Sequence, residues 1–183
     1  MEQADLPDIQ ATLAGDGTAF KRLVGRYQQE IARRMWRFTR KGQELEELVQ
    51  DVFVEAYMSL NSFRGTAPFV NWLNRIATRV GYRFWKRQRR QADQAVALQD
   101  WDAVQARADT EMESREAAEL LHSLLAQLPP RDRLVLTLLY IEELPVAKAA
   151  ERSGWSQTMV KVQAHRARNK LRLLLQESGQ AAI

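Results

Sequence analysis

Apolar residues recur at intervals of three and four along most of this 183-residue chain, and that spacing admits one kind of regular structure. At 100° per residue it gathers them on one side of a helix, whereas a strand would need them at every second position. Sustained alternation is absent, and only 8 Gly and 5 Pro punctuate the sequence. The expected fold class is all-α. Ile9 and Leu13 begin a short helix that Gly15-Asp16-Gly17 stops. Thr18 is expected to cap the next helix, whose buried face would be Phe20, Leu23, Val24, Tyr27, Ile31 and Met35. A third helix is expected over residues 44 to 60, with Leu45, Leu48, Val49, Val52, Phe53, Ala56 and Leu60 inward. The loop 61–68 leads into a long basic helix expected to end near Arg90.

From residue 91 to 113 the pattern fades into Gln, Ala and Asp, with Trp101 the only aromatic, as in a linker. Leu120, Leu121, Leu124, Leu125 and Leu128 then make a new apolar face that Pro129-Pro130 ends, and Leu134, Val135, Leu138 and Leu139 make the next. The expected organisation is two small helical domains, 1–90 and 114–183, joined by a flexible linker, 91–113.

Composition excludes several chemistries. Without cysteine there is no disulfide, thiolate zinc site or cysteine nucleophile. The two histidines, His122 and His165, are far apart, and no phosphate-binding glycine loop occurs. No catalytic residue, metal, cofactor or small-molecule substrate is therefore expected, and His122, set among leucines, reads as a half-buried structural residue. The acidic start lacks an apolar core of the secretory type, and no apolar run approaches the ~20 residues of a membrane span. A cytoplasmic protein that is not itself membrane-inserted is expected. The net charge of +4 is too mild to name a partner, so its distribution matters more.

Near the C-terminus, residues 146–152 form a short amphipathic stretch, Ser153-Gly154-Trp155 a tight turn, and Ser156 an N-cap for the last helix. Val160, Ala164, Ala167, Leu171 and Leu174 make its narrow inward stripe. Gln157, Thr158, Lys161, Val162, His165, Arg166 and Asn169 face outward, Arg168, Lys170 and Arg172 extend the positive charge, and no acid interrupts until Glu177. This is the pattern of a helix-turn-helix, whose second helix offers its first turns to base edges and its later cations to phosphates. An ordinary helical hairpin with a solvated basic face explains the charge but not a small Ala150 placed four residues before Gly154.

Two surfaces stand out in the first module. Arg75, Arg79, Arg83, Lys86 and Arg90 fall within a sector of about 80° on one helix. Asn71, Trp72 and Tyr82 lie on or beside that ridge, while Leu73, Ile76, Ala77, Val80 and Phe84 face a core. Solvated helix faces normally mix both signs, yet no Asp or Glu occurs between Glu55 and Asp93. Phosphate would relieve such self-repulsion, and aromatics among cations hold unstacked bases. On the preceding helix the outward face is Glu47, Gln50, Asp51, Val54 and Met58, two apolar residues among carboxylates. Two readings stand at this point, a surface helix with incidental apolar residues or a docking face for a basic or mixed protein surface.

In this order the elements resemble a bacterial sigma factor of the extracytoplasmic-function group of the sigma-70 family. Residues 46–53, Glu-Glu-Leu-Val-Gln-Asp-Val-Phe, resemble the family's acidic core-polymerase-binding helix. Residues 61–65, Asn-Ser-Phe-Arg-Gly, followed by Phe69, Trp72-Leu73 and Arg75-Ile76-Ala77, resemble its promoter-melting segment. Leu128-Pro129-Pro130-Arg131, Val160-Lys161 and His165-Arg166-Ala167-Arg168 resemble its region four. The resemblance covers roughly residues 9–90 and 114–175. It implies core RNA polymerase and promoter DNA as partners, and an anti-sigma factor that holds the protein inactive. It implies core binding by Glu47, Gln50, Asp51, Val54 and Met58. For the minus-ten element it implies Phe63, Arg64, Asn71, Trp72, Arg75, Arg79, Tyr82, Arg83, Lys86 and Arg90. For the minus-thirty-five element it implies Ser156, Gln157, Thr158, Lys161, Val162, His165, Arg166 and Arg168. The sequence departs from the family at Arg79, commonly Asn, and at Met159, Val162 and Gln163, usually Thr, Ser and Arg. Ala149 and Ser153 stand where larger aliphatics are usual. A conventional helix-turn-helix regulator with an N-terminal sensing or dimerisation domain would explain the C-terminal module but leave ridge and acidic helix without a purpose. An RNA-binding regulator and an enzyme fit less well.

Overall fold

The computed structural model describes residues 5–98 and 113–180, with side chains over 5–94 and 119–176. Every regular element among them is helical. The chain divides into two compact units, 1–84 and 85–183, the division falling just after Phe84. The greater part of the expected linker, 99–112 with Trp101, lies outside the described residues.

The first unit is built on α1 (Asp5–Leu13), α2 (Gly17–Met35), α3 (Gly42–Ser59) and the start of α4 (Phe69–Leu98). Buried Ala19, Leu23, Tyr27, Ile31 and Met35 recur every four residues on α2 and meet Leu48, Val52, Phe53 and Ala56 of α3. Leu73, Ile76, Ala77, Val80 and Phe84 complete this core from α4, as their spacing predicts. Each buried Leu, Ile or Phe contributes about 1.5–3 kcal/mol, so packing rather than helix propensity holds these elements.

Several expectations change. Asp16, not Thr18, caps α2: its carboxylate accepts the Thr18 backbone N–H at 2.8 Å and hydroxyl at 2.6 Å. Leu13, expected beside Ile9 on a buried face, is exposed, because the ion-paired Asp5 and Asp8 share the buried face of α1 with Ile9. Phe20, Val24, Leu45 and Val49 are only half-buried. The basic helix also continues to Leu98 rather than ending near Arg90.

The second unit contains α5 (Glu113–Gln127), α6 (Pro130–Leu136), a π-type turn (Thr137–Ile141), α7 (Val146–Ser153) and α8 (Gln157–Gln180). Leu124, Leu125, Leu128, Leu134, Val135 and Leu138 are buried, but Leu120 and Leu121 are exposed and Leu139 is half-buried. The α5 face is thus narrower than its leucines suggest. His122 is half-buried, with its Nε2 3.3 Å from an Arg133 nitrogen.

Between α7 and α8, Gly154 sits at φ 75°, ψ 19°, a left-handed conformation that glycine adopts without steric cost. Its N–H and that of Trp155 both bond to the Ala150 carbonyl, at 3.0 and 3.1 Å. The Ser153 hydroxyl, where an aliphatic is usual, donates to Ala149 O at 2.7 Å and accepts the Trp155 N–H at 3.3 Å. Ser156 caps α8 by accepting the Met159 N–H at 3.1 Å. Val160, Ala164 and Ala167 are buried under it, and Leu171 and Leu174 are half-buried.

Candidate nucleic-acid and protein-docking surfaces

On α4 the cations Arg75, Arg79, Arg83, Lys86 and Arg90 are all exposed, as the helical arithmetic requires. The ridge is not purely cationic, however. Glu55 of α3 reaches it: Arg79 Nε donates to one carboxylate oxygen at 2.9 Å, and Arg83 donates to the other. Burial pushes the Glu55 carboxyl up, but hydrogen bonds from Arg83 and Arg79 and their charges outweigh it, leaving its pKa below the usual carboxylate value. A group depressed in the folded state contributes stability above its unfolded pKa and loses it as pH falls through the folded one. Glu55→Gln is therefore expected to lower the thermal midpoint at neutral pH. Its deficit against the unsubstituted protein should close on acidification below about pH 4. A deficit that persists unchanged in circular-dichroism melts at lower pH would contradict the pairing.

Trp72 is a correction. The helical wheel puts it beside the cations, but the 61–68 loop folds over it and leaves 8% exposure. Its ring lies 5.6 Å from Phe63 and 5.5 Å from Phe69, and Tyr27 adds a fourth ring 5.7 Å from Phe69. Asn71, Tyr82 and Phe63 are half-buried, and Arg64 is exposed. A mainly polar cavity of about 340 Å³ opens between the loop and α4, with Ser62, Phe63, Arg64, Thr66, Trp72 and Arg75 on its walls. Trp72 thus lines the wall of a recess rather than standing as a platform on the ridge. The sequence held no sign of the recess, because the backbone path of the loop creates it.

On α3, Glu47, Gln50, Asp51, Val54 and Met58 are all exposed, Val54 at 55% and Met58 at 75%. Beside them runs an apolar groove of about 700 Å³ between α2 and α3, formed chiefly by Phe20, Val24, Val49, Phe53, Val54 and Tyr57. Phe20 and Tyr57 meet edge-on at 5.0 Å. Sequence reasoning assigned Phe20, Val24 and Val49 to the core and overlooked Tyr57. The available signal was an apolar stripe on α2 wider than one buried face needs.

In the second unit Ser156, at the cap of α8, and Gln157, Thr158, Lys161, Val162, His165, Arg166 and Arg168 on it are all exposed, with Val162 at 46%. Arg168 donates to the Tyr140 hydroxyl at 2.7 Å. Lys170 is corrected: its Nζ lies 2.6 Å from the buried carboxylate of Asp132, which also receives Gln163 Nε2. It ties α8 to α6 while 49% of its side chain stays exposed, so its charge is partly engaged by Asp132.

A helix-turn-helix following a helical unit with a basic ridge defines a two-module transcription factor, and comparison with known proteins makes this specific. Residues 23–91 match the family model for sigma-70 region 2, and 112–171 match that for sigma-70 region 4. The chain is 33% identical over 152 residues to the RNA polymerase sigma-H factor of Pseudomonas aeruginosa, covering 78% of this chain and 79% of that protein. It is 29% identical over 151 residues to the ECF RNA polymerase sigma-E factor of Escherichia coli K12, covering 78% of each. Its fold is similar to that of CnrH in complex with the cytosolic domain of CnrY, with TM-score 0.59 and 26% identity over 95% of this chain and 98% of that one. The chain belongs to the sigma-70 family of RNA polymerase sigma factors, in its extracytoplasmic-function group. As such it directs promoter-specific initiation of transcription. Among the described residues no helix is long and apolar enough to cross a membrane.

Proposed function

We propose that the outward face of α3 and its apolar groove dock on core RNA polymerase, with Glu47, Gln50, Asp51, Val54 and Met58 at the contact. The observation that carries this is the exposure of Val54 and Met58 beside a groove with apolar walls and an acidic rim. DNA would be repelled by that rim, whereas a protein surface of mixed or basic character suits it. The first turns of α8, from Ser156 to Arg168, then read the minus-thirty-five duplex in the major groove. The ridge meets the minus-ten phosphates, and the cavity beside Phe63 and Arg64 takes an unpaired base. Extruding a base costs a few kcal/mol, which stacking and pocket contacts offset.

The functional modules in this reading are 1–90 and 114–183, and joining two DNA readers raises the effective concentration of the second once the first is bound. Selection and opening proceed by binding alone, so no catalytic residue, metal, cofactor or small-molecule substrate is assigned. The protein works where polymerase and DNA are, in the cytoplasm. An anti-sigma partner is part of this reading, supported by the family resemblance and by the protein complex in which the similar CnrH is seen.

Val54→Glu tests the docking surface. With Val54 half in solvent, the variant should fold with an unchanged thermal midpoint and lose core affinity by roughly 30-fold or more, the scale of an interface hot spot. Unaltered binding in a pull-down or titration with core would remove α3 from the interface.

A further inference from the structure

Helix α1 precedes the segment that matches sigma region 2. Besides the buried Ile9, it packs through polar groups where a docked helix ordinarily uses apolar ones. Asp5 and Asp8 are buried, while Leu6 and Leu13 are exposed. Asp8 pairs with Arg22 at 2.7 Å and Arg26 at 3.0 Å. Asp5 pairs with Arg26 and accepts a hydrogen bond from the Tyr27 hydroxyl at 2.5 Å. Burying carboxylates is costly unless their bonds are met, and meeting them requires one geometry. The cluster therefore gives α1 a single seat on α2, where apolar contacts alone would tolerate sliding.

That seat bears on the 61–68 loop. Asp5, Leu6 and Ile9 line one side of a cavity of about 300 Å³ whose other side is Phe63, residues 65–68 and Phe69. From Asp5 a chain of contacts runs through the Tyr27 hydroxyl to its ring, 5.7 Å from Phe69, and from Phe69 to Phe63 and Trp72, each at 5.5 Å. Phe63 and Trp72 are the aromatic walls of the polar recess beside Arg64 and Arg75.

We propose that Asp5, acting through Tyr27 and Phe69, is a positioning residue that sets the shape of this recess and hence its selectivity for the base it takes. The inference rests on the reading of the recess as the pocket for an unpaired promoter base. Anchoring the hydroxyl fixes the tilt of the Tyr27 ring, the ring supports Phe69, and Phe69 holds Phe63 and Trp72 at their spacing. A pocket whose supporting groups loosen by a fraction of an ångström loses discrimination before it loses its fold.

The test uses the complete protein bound to core polymerase and a forked promoter probe with an unpaired minus-ten strand, with an abasic site scanned through its unpaired positions. Tyr27→Phe removes the hydroxyl alone and keeps the ring, and Asp5→Asn keeps the shape and removes the charge. Each is expected to weaken binding of the intact probe about tenfold while core affinity stays within about twofold. At the one position where an abasic site costs the unsubstituted protein affinity, variant and parent should bind the abasic probe equally. Tyr27→Phe indistinguishable from its parent on the intact probe would overturn the proposal, as would a loss undiminished on the abasic probe or accompanied by an equal loss of core binding. If the unsubstituted protein is indifferent to abasic sites at every position, the recess is not a base pocket, and both readings fall together.

Discussion

Gly81→Ala is expected to destabilise the first unit by about 2–3 kcal/mol, although alanine is the better helix former by about 0.5–1 kcal/mol. A Cβ at Gly81 would overlap three ring atoms of Phe38, closer than real Cβ contacts come. Relief by movement is restricted. Phe38 is 3% exposed, and its backbone N–H is bonded to Met35 O at 2.8 Å, so neither the ring nor the chain that carries it has free space to withdraw into. For a unit of this size the loss corresponds to a fall of roughly 10 °C in thermal midpoint, readable in melts of the full chain. Phe38→Leu in the Gly81→Ala background should recover part of it, because the smaller side chain vacates the volume the Cβ enters. A Gly81→Ala protein as stable as its parent would mean that α4 and Phe38 do not approach as described.

The second large effect is expected at Asp132. Its side chain is 1% exposed, and its carboxylate receives Gln163 Nε2 and Lys170 Nζ from α8. Residues 163 and 170 are two helical turns apart, so both reach one acceptor only at one rotation of α8 about its axis. Hydrogen bonds to a charged group contribute about 1.5–3 kcal/mol, and Asp132→Ala should lower stability by that order. It should also weaken binding of a minus-thirty-five duplex, because the outward residues on α8 then lose their fixed bearing. Asp132→Asn keeps the shape and one acceptor and should fall between the two. Anisotropy titrations with the duplex, set beside thermal melts, separate the effects. A duplex affinity that survives the loss of stability would show that α8 is oriented by Val160, Ala164 and Ala167 without Asp132.

Both predictions concern residues that the sequence did not single out for these roles. Gly81 looks like any helix-interior glycine until Phe38, from a distant part of the chain, is brought against it. In the sequence Gln163 stands out only as a departure from a family pattern, and Lys170 falls in line with the outward cations. A helical wheel reports the direction of a side chain from its own axis and nothing about what stands opposite. Trp72 illustrates the same gap: its angle is that of the ridge, but a loop covers it. Leu120 and Leu121 err the other way, apolar residues on a face with nothing described to cover them. Phe20, Val24 and Val49 look like core residues because apolar spacing alone does not separate a packed face from the wall of an open groove.

The sequence by itself determined the helical fold, the helix-turn-helix with its Gly154 turn and Ser156 cap, and the outward placement of the five ridge cations, of α3's docking residues and of α8's reading face. Periodicity and local backbone chemistry, which act within a few residues, determine exposure on α3 and α8; the docking and reading roles given to those faces are the proposal made for them. The tertiary structure alone decided the Glu55 bridge to Arg79 and Arg83, the recess over Trp72, the open groove between α2 and α3, the polar seat of α1 and the Asp132 clamp on α8. Each joins side chains from different elements at hydrogen-bond or van der Waals range, and such distances are set by how helices pack, which no single helix encodes.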